Sequence, residues 1–139
     1  MTKLVVALDG SPRQAAVLAR AVELAGKLEG RLTLLRVVTV PAELPSRAYA
    51  VRPEAVGDLL LEDARTELGE LAKAVPPALL DEVRALLGTP WRTLVDAAEE
   101  RHADLLIVGS HGYGGLDRLL GTTAAKVVDH ARCSVLVAR

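Results

Sequence analysis

The run Ile107-Val108-Gly109-Ser110-His111-Gly112-Tyr113-Gly114-Gly115, with Gly121-Thr122-Thr123 shortly after it, gathers the residues of this chain best suited to hold a ligand. An apolar strand enters a glycine-rich loop, and the loop enters a helix start. Glycine lets backbone approach a ligand closely, and the unpaired amides of a helix N-terminus point toward anions. Together they suit a phosphate group, so this segment reads as a nucleotide site. Thr122 adds a hydroxyl and is equally a candidate helix cap. Asp9, after the apolar run Leu4 to Leu8, reads either as a nucleotide contact or as a turn residue of Asp9-Gly10-Ser11-Pro12. His111 reads either as a phosphate donor or as a loop histidine facing solvent. Turn geometry alone is the second reading of Gly109 and Gly121, and the reading of Gly10.

Other chemistries fit less well. The chain lacks the glycine, four residues, glycine-lysine-serine/threonine pattern of a P-loop, and Asp117 stands where a dinucleotide fingerprint starting at Gly112 needs glycine. No group of His, Cys and carboxylates has metal-ligand spacing, so a metal ion is expected to be Mg²⁺ or Mn²⁺ held by the phosphates. Hydrolysis needs a residue that orients water and cations that stabilise the transferred phosphoryl group. Asp9, His111 and Arg118 are the candidates, and none has a partner identifiable from sequence. Binding is therefore expected, with weak hydrolysis at most; the alternatives are a slow ATPase or autophosphorylating enzyme, or a dimer that has lost nucleotide binding.

At 139 residues, 50% of them hydrophobic, the chain suits one domain over residues 1–139. A formal net charge of -1 leaves no basic footprint for nucleic acid, so no DNA or RNA partner is expected. The apolar stretch after Met1-Thr2-Lys3 ends at Asp9-Gly10, too short for a signal peptide or a membrane span, which points to a soluble, cytoplasmic protein with no membrane partner. Cys133 is the single cysteine, read as a small buried hydrophobe. Trp91 reads as a packing residue and Lys126 as a solvated side chain.

Strands and helices alternate along the chain. Leu4 to Leu8 is a strand apolar on both faces. Ser11 is a candidate N-cap with Pro12 at the first helical position, and Ala15, Leu18, Ala19 and Val22 recur at helical spacing up to about Glu29. Leu32 to Val40 is the second strand, and Pro41 and Pro45 open a loop to about Pro53. Leu60, Ala64, Leu68, Leu71 and Val75 mark one face of the second helix, which Pro76-Pro77 ends. Glu82-Val83-Arg84-Ala85 alternates before Leu86-Leu87, as a strand near a sheet edge does. Pro90 opens the third helix, with Leu94, Val95 and Ala98 inward. Leu105 to Val108, a helix from about Thr122 to Ala131, and Ser134 to Ala138 complete the chain.

Such alternation implies an α/β fold: a doubly wound, five-stranded parallel sheet with helices on both faces. The most apolar strands belong at the centre, giving the order 3-2-1-4-5. Ligands of such sheets sit beyond the carboxyl ends of the strands where the winding reverses, between the first and fourth strands. Asp9 and Gly109 mark those two ends, so motif and topology point to one crevice.

Val6-Ala7-Leu8-Asp9-Gly10-Ser11, Leu34-Leu35-Arg36-Val37-Val38, the run Ala103 to Gly112, and Val135-Leu136-Val137 carry a resemblance to the ATP-binding universal stress proteins over nearly the whole chain. Those proteins carry glycine, two residues, glycine, nine residues, glycine, then serine or threonine; this chain has Gly109, Gly112, Gly121 and Thr122, with residues 113–120 one position short. Gly114 and Gly115 accept backbone angles that can absorb the difference. Arg36 stands where the family often has histidine. The resemblance implies that Ala7, Leu8, Asp9 and Val37 surround adenine and ribose, that Val108 and Gly109 close the other side, and that His111, Gly112, Gly121, Thr122 and Thr123 hold the phosphates of ATP. It also implies a stress-response regulator and a homodimer. An apolar edge strand is a liability usually covered by a partner, and Ser134–Ala138 would pair with its counterpart in a second copy.

Overall fold

Leu4, Val5 and Val6 are all buried, yet they face two different cores. In the computed structural model, which describes residues 1–41, 53–111 and 120–139, they lie in the first strand, β1 (Lys3–Ala7). Successive side chains leave a strand on opposite faces. Leu4 and Val6 therefore join one apolar cluster and Val5 the other. A strand covered on both sides must read as a continuous apolar run.

The remaining elements are α1 (Gln14–Lys27), β2 (Arg31–Val38), α2 (Pro53–Ala72), β3 (Leu80–Leu87), α3 (Pro90–Glu100), β4 (Leu105–Gly109), α4 (Thr122–His130) and β5 (Ser134–Ala138). A short 3₁₀ turn, Pro77–Leu79, precedes β3. All strand pairs are parallel and the order is β3-β2-β1-β4-β5, as expected from the apolar runs. On one face Val17, Leu18 and Ala21 of α1 and Ala64 and Leu68 of α2 pack on Leu4, Val6, Leu32, Leu34 and Ile107. On the other, Leu94 and Ala98 of α3 and Ala124 and Val127 of α4 pack on Val5, Leu35, Leu106 and Val108. Each fully buried leucine of β2 contributes about 1.5–3 kcal/mol relative to exposure. Among the described residues no helix is long and apolar enough to cross a membrane.

Four local expectations differ from the structure. The helix α1 begins at Gln14, after a turn through Ser11 and Pro12; Ser11 Oγ still accepts the Arg13 amide at 3.3 Å, from a position ahead of the N-cap Arg13. Its inward face is Val17, Leu18, Ala21 and Ala25, while Ala15 and Ala19 are exposed. Alanine is at home on either face of a helix, so its spacing misplaced the stripe by about a quarter turn. The helix α2 stops at Ala72, before the prolines, and Val75 is buried from the turn that follows. Cys133 is half-buried, because it lies in the bend leading to an edge strand. Burial still pushes its thiol pKa up, away from the reactive thiolate. The loop 42–52, together with Gly112, Gly114, Gly115 and Arg118, lies outside the described residues.

Candidate functional site

Two backbone hydrogen bonds bring the sequence-distant parts of the site together. The Ser110 amide donates to the Ala138 carbonyl at 2.9 Å, continuing the β4–β5 pairing past the end of β4. The Gly121 amide donates to the Ser110 carbonyl at 2.7 Å, which anchors the start of α4 beside that strand end. Gly121 is the N-cap and Thr122 the first helical residue, so the expected cap lies one residue earlier than Thr122. Gly121 has no side chain to cap the amides, and the first turn carries no acidic residue. Among the described residues no side-chain cap answers the positive end of the α4 dipole, an end that favours negative charge.

Between this helix start and the end of β1 lies a cavity of about 280 Å³. Its wall contains Ala7, Leu8 and Asp9 from the β1 end, Val37 from β2, Val108 and Gly109 from β4, His111 beyond it, and Gly121, Thr122 and Thr123 from α4. Every candidate residue in the described segments thus meets in one crevice; Gly112 is outside them. Ser11, Arg13, Ser110, Leu35, Pro90 and Leu94 also line the cavity and were not anticipated. Leu35 and Leu94 looked like core, and they are core residues that also line the cavity. Arg13 sits on the turn of Asp9, and that adjacency was the available signal.

Asp9 performs the turn role and also faces the cavity. Its Oδ1 accepts the Ser11 amide at 2.9 Å, an Asx turn that carries the chain from β1 toward α1. Gly10 has φ 79°, a left-handed angle open to glycine at no cost. The Gln14 side chain accepts the Gly10 amide at 3.0 Å. Gly109 is explained by close packing: a Cβ there would sit 3.3 Å from Val17 Cγ2. Gly121 has φ -62° and ψ 160°, angles that need no glycine, so turn geometry does not account for it.

The lining has two characters: Ala7, Leu35, Val37, Leu94 and Val108 are apolar, while His111, Thr122 and Thr123 are polar. His111 is buried against Arg13 and Ser110, its Nδ1 lying 2.9 Å from Arg13 Nη1 and 3.1 Å from Ser110 Oγ. Trp91 stands outside this wall: its ring is 4.5 Å from that of His130, and the exposed Lys126 lies over it at 5.7 Å, joining α3 to α4. Among the described residues no group of three or more His, Cys, Asp or Glu is placed to hold a metal ion.

Comparison with known proteins agrees with this architecture. The universal stress protein A homolog 1 of Coxiella burnetii is 30% identical over 134 residues, covering 96% of this chain and 92% of its own. Among solved structures, the universal stress protein UspA from Lactobacillus plantarum is 28% identical with a TM-score of 0.75, covering 99% of this chain and 97% of its own. A universal stress protein solved in complex with cAMP is 26% identical with a TM-score of 0.71, covering 99% of this chain and 96% of its own. The family description "Universal stress protein family" matches residues 1–139, and on that match the chain belongs to the universal stress protein family.

Proposed function

We propose that the protein is a stress-response regulator that binds ATP in the cavity between the ends of β1 and β4. The observation that carries this reading is the mixed lining of one cavity: apolar side chains suited to a purine, together with a helix start that has no side-chain cap among the described residues and is suited to phosphates. Ala7, Leu8, Asp9 and Val37 would surround adenine and ribose, with Val108 and Gly109 closing the other side. His111, Gly121, Thr122 and Thr123 would face the phosphates, with Gly112 assigned there by the family motif. A relative solved with cAMP supports an adenine nucleotide as the ligand class. Mg²⁺ or Mn²⁺ would enter with the phosphates, neutralising charge between their oxygens.

Binding is favoured over turnover because Asp9 is the one carboxylate on the cavity wall among the described residues, and its Oδ1 is engaged by its own turn. Calorimetric titration of nucleotide-stripped protein with ATP and Mg²⁺ is expected to show saturable one-to-one binding. Phosphate release is expected at background in both the native protein and Asp9→Ala. Absence of heat at several temperatures, with no nucleotide carried through purification, would replace this reading with that of a family member that works without ligand.

The regulator is expected to act as a homodimer. The strand β5 ends the sheet, so its outer side has no strand neighbour among the described residues. An apolar Val135-Leu136-Val137 segment with open backbone groups is covered at little cost by the same strand of a second copy. Sedimentation equilibrium should return the mass of two chains; a monomer at high concentration would contradict it.

A further inference from the structure

The two nitrogens of the His111 ring are treated differently. Nδ1 lies 2.9 Å from Arg13 Nη1 and 3.1 Å from Ser110 Oγ. Nε2 is buried and has no hydrogen-bond partner among the described residues. His111 is 4% exposed, and it lines the cavity.

A guanidinium has donors and no acceptor. Against Arg13, Nδ1 must therefore accept, and the ring proton belongs on Nε2. Ser110 alone would leave the matter open, since a hydroxyl can give or take a hydrogen bond. Its Oγ, 3.5 Å from Arg13 Nη1, takes part in the same arrangement. The result is a desolvated N–H donor, unanswered by the described protein, on a residue that lines the cavity. Buried donors left in this state are costly, and a ligand that supplies an acceptor relieves the cost.

The neighbouring groups narrow the acceptor. The Gly121 amide is bonded to the Ser110 carbonyl, so the start of α4 lies next to His111 along the wall. Gly121, Thr122 and Thr123 line the same cavity, where the helix start favours negative charge. An anionic oxygen is the acceptor that both features serve.

We propose that Arg13 is a positioning residue: it fixes His111 with its proton on Nε2, so that the ring donates to a phosphoryl oxygen of the bound ligand. The choice of ligand rests on the nucleotide reading above; the position of the proton does not. Arg13 acts through His111.

The test is ¹⁵N spectroscopy of the histidine rings in the full chain. Without ligand, His111 should show a protonated Nε2 and an acceptor-type Nδ1. Inorganic pyrophosphate, like ATP with Mg²⁺, should shift the Nε2 signal, and adenosine should not. Arg13→Met should let the ring populate both tautomers and weaken ATP binding about tenfold or more, as loss of a hydrogen bond to a charged group does. Arg13→Lys, whose ammonium is also purely a donor, should keep the native pattern and most of the affinity. A proton on Nδ1 in the native protein, an unchanged ring spectrum in folded Arg13→Met, or ATP that binds without moving Nε2 would each overturn the proposal while leaving ATP binding intact. If ATP fails to bind but pyrophosphate shifts Nε2, the nucleotide reading falls and this one stands. If neither phosphate compound shifts Nε2, this proposal falls. Should Arg13→Met not fold, the native spectrum and the two titrations decide alone.

Discussion

Aspartate in place of Thr123 is expected to make the protein slightly more stable and to abolish ATP binding. The helix α4 starts at Gly121 without a capping side chain and has no acid in its first turn. A carboxylate at the second helical position interacts favourably with the helix dipole, by about 0.3–1 kcal/mol. That raises the melting temperature by roughly 1–4 °C in a domain of this size. Thr123 also lines the cavity, so the same carboxylate would stand where phosphates are proposed. Two unit charges about 4 Å apart repel by about 4 kcal/mol at an effective dielectric constant near 20, enough to weaken binding more than about 100-fold. Scanning calorimetry and ATP titration of the same sample measure both effects. Opposite signs distinguish a lost anion site from a damaged fold; unchanged ATP affinity would move the phosphates away from α4.

The fold was readable because its signals are hydrophobic and periodic. Leu4 to Leu8 and Leu105 to Val108 are apolar at every position, which a strand tolerates when helices cover both faces, and both are central in the sheet. Glu82 and Arg84 alternate with apolar neighbours, and β3 is an edge strand. Ser134–Ala138 appeared with its expected limits. The candidate residues were readable for a different reason: strand ends and helix starts are brought to one place by topology, so Asp9, Gly109 and Thr122 had to converge once the order was known.

What escaped the sequence are polar side chains whose role depends on rotation rather than spacing. Arg13 gave no period and no motif, and it reads like any cation at the start of a helix. Its contact with His111 spans 98 positions of chain and becomes visible only when β4 is set beside β1. Ser110 is 1% exposed, a degree of burial that a serine next to glycine does not announce. The inward face of α1 was misjudged because alanines carry little directional information.

Arg36 is the strongest case of this kind, and Arg36→Met is expected to destabilise the protein by about 2–4 kcal/mol, a sizeable part of the roughly 5–15 kcal/mol that holds a typical domain folded. Arg36 is 6% exposed within β2. Its Nε donates to the Leu8 carbonyl at 2.9 Å, its Nη2 donates to Gln14 Oε1 at 2.8 Å, and its Nη1 pairs with Glu67. Gln14 Oε1 in turn accepts the Gly10 amide, so Arg36 braces both sides of the Asp9-Gly10 turn at the cavity mouth. Methionine keeps an unbranched apolar stem but leaves the Leu8 carbonyl and the Gln14 side chain without their charged donor. The Glu67 side chain is 61% exposed and regains water when released, so its ion pair contributes little of the loss. Glu67→Gln should therefore cost no more than about 1 kcal/mol. Denaturant unfolding of the two variants separates the contributions: a large loss in Arg36→Met beside a small one in Glu67→Gln places the energy in the buried bonds to Leu8 and Gln14, and equal losses would place it in the ion pair. Arg36→Met should also bind ATP more weakly than Glu67→Gln, because the turn that presents Asp9 to the cavity has lost its brace.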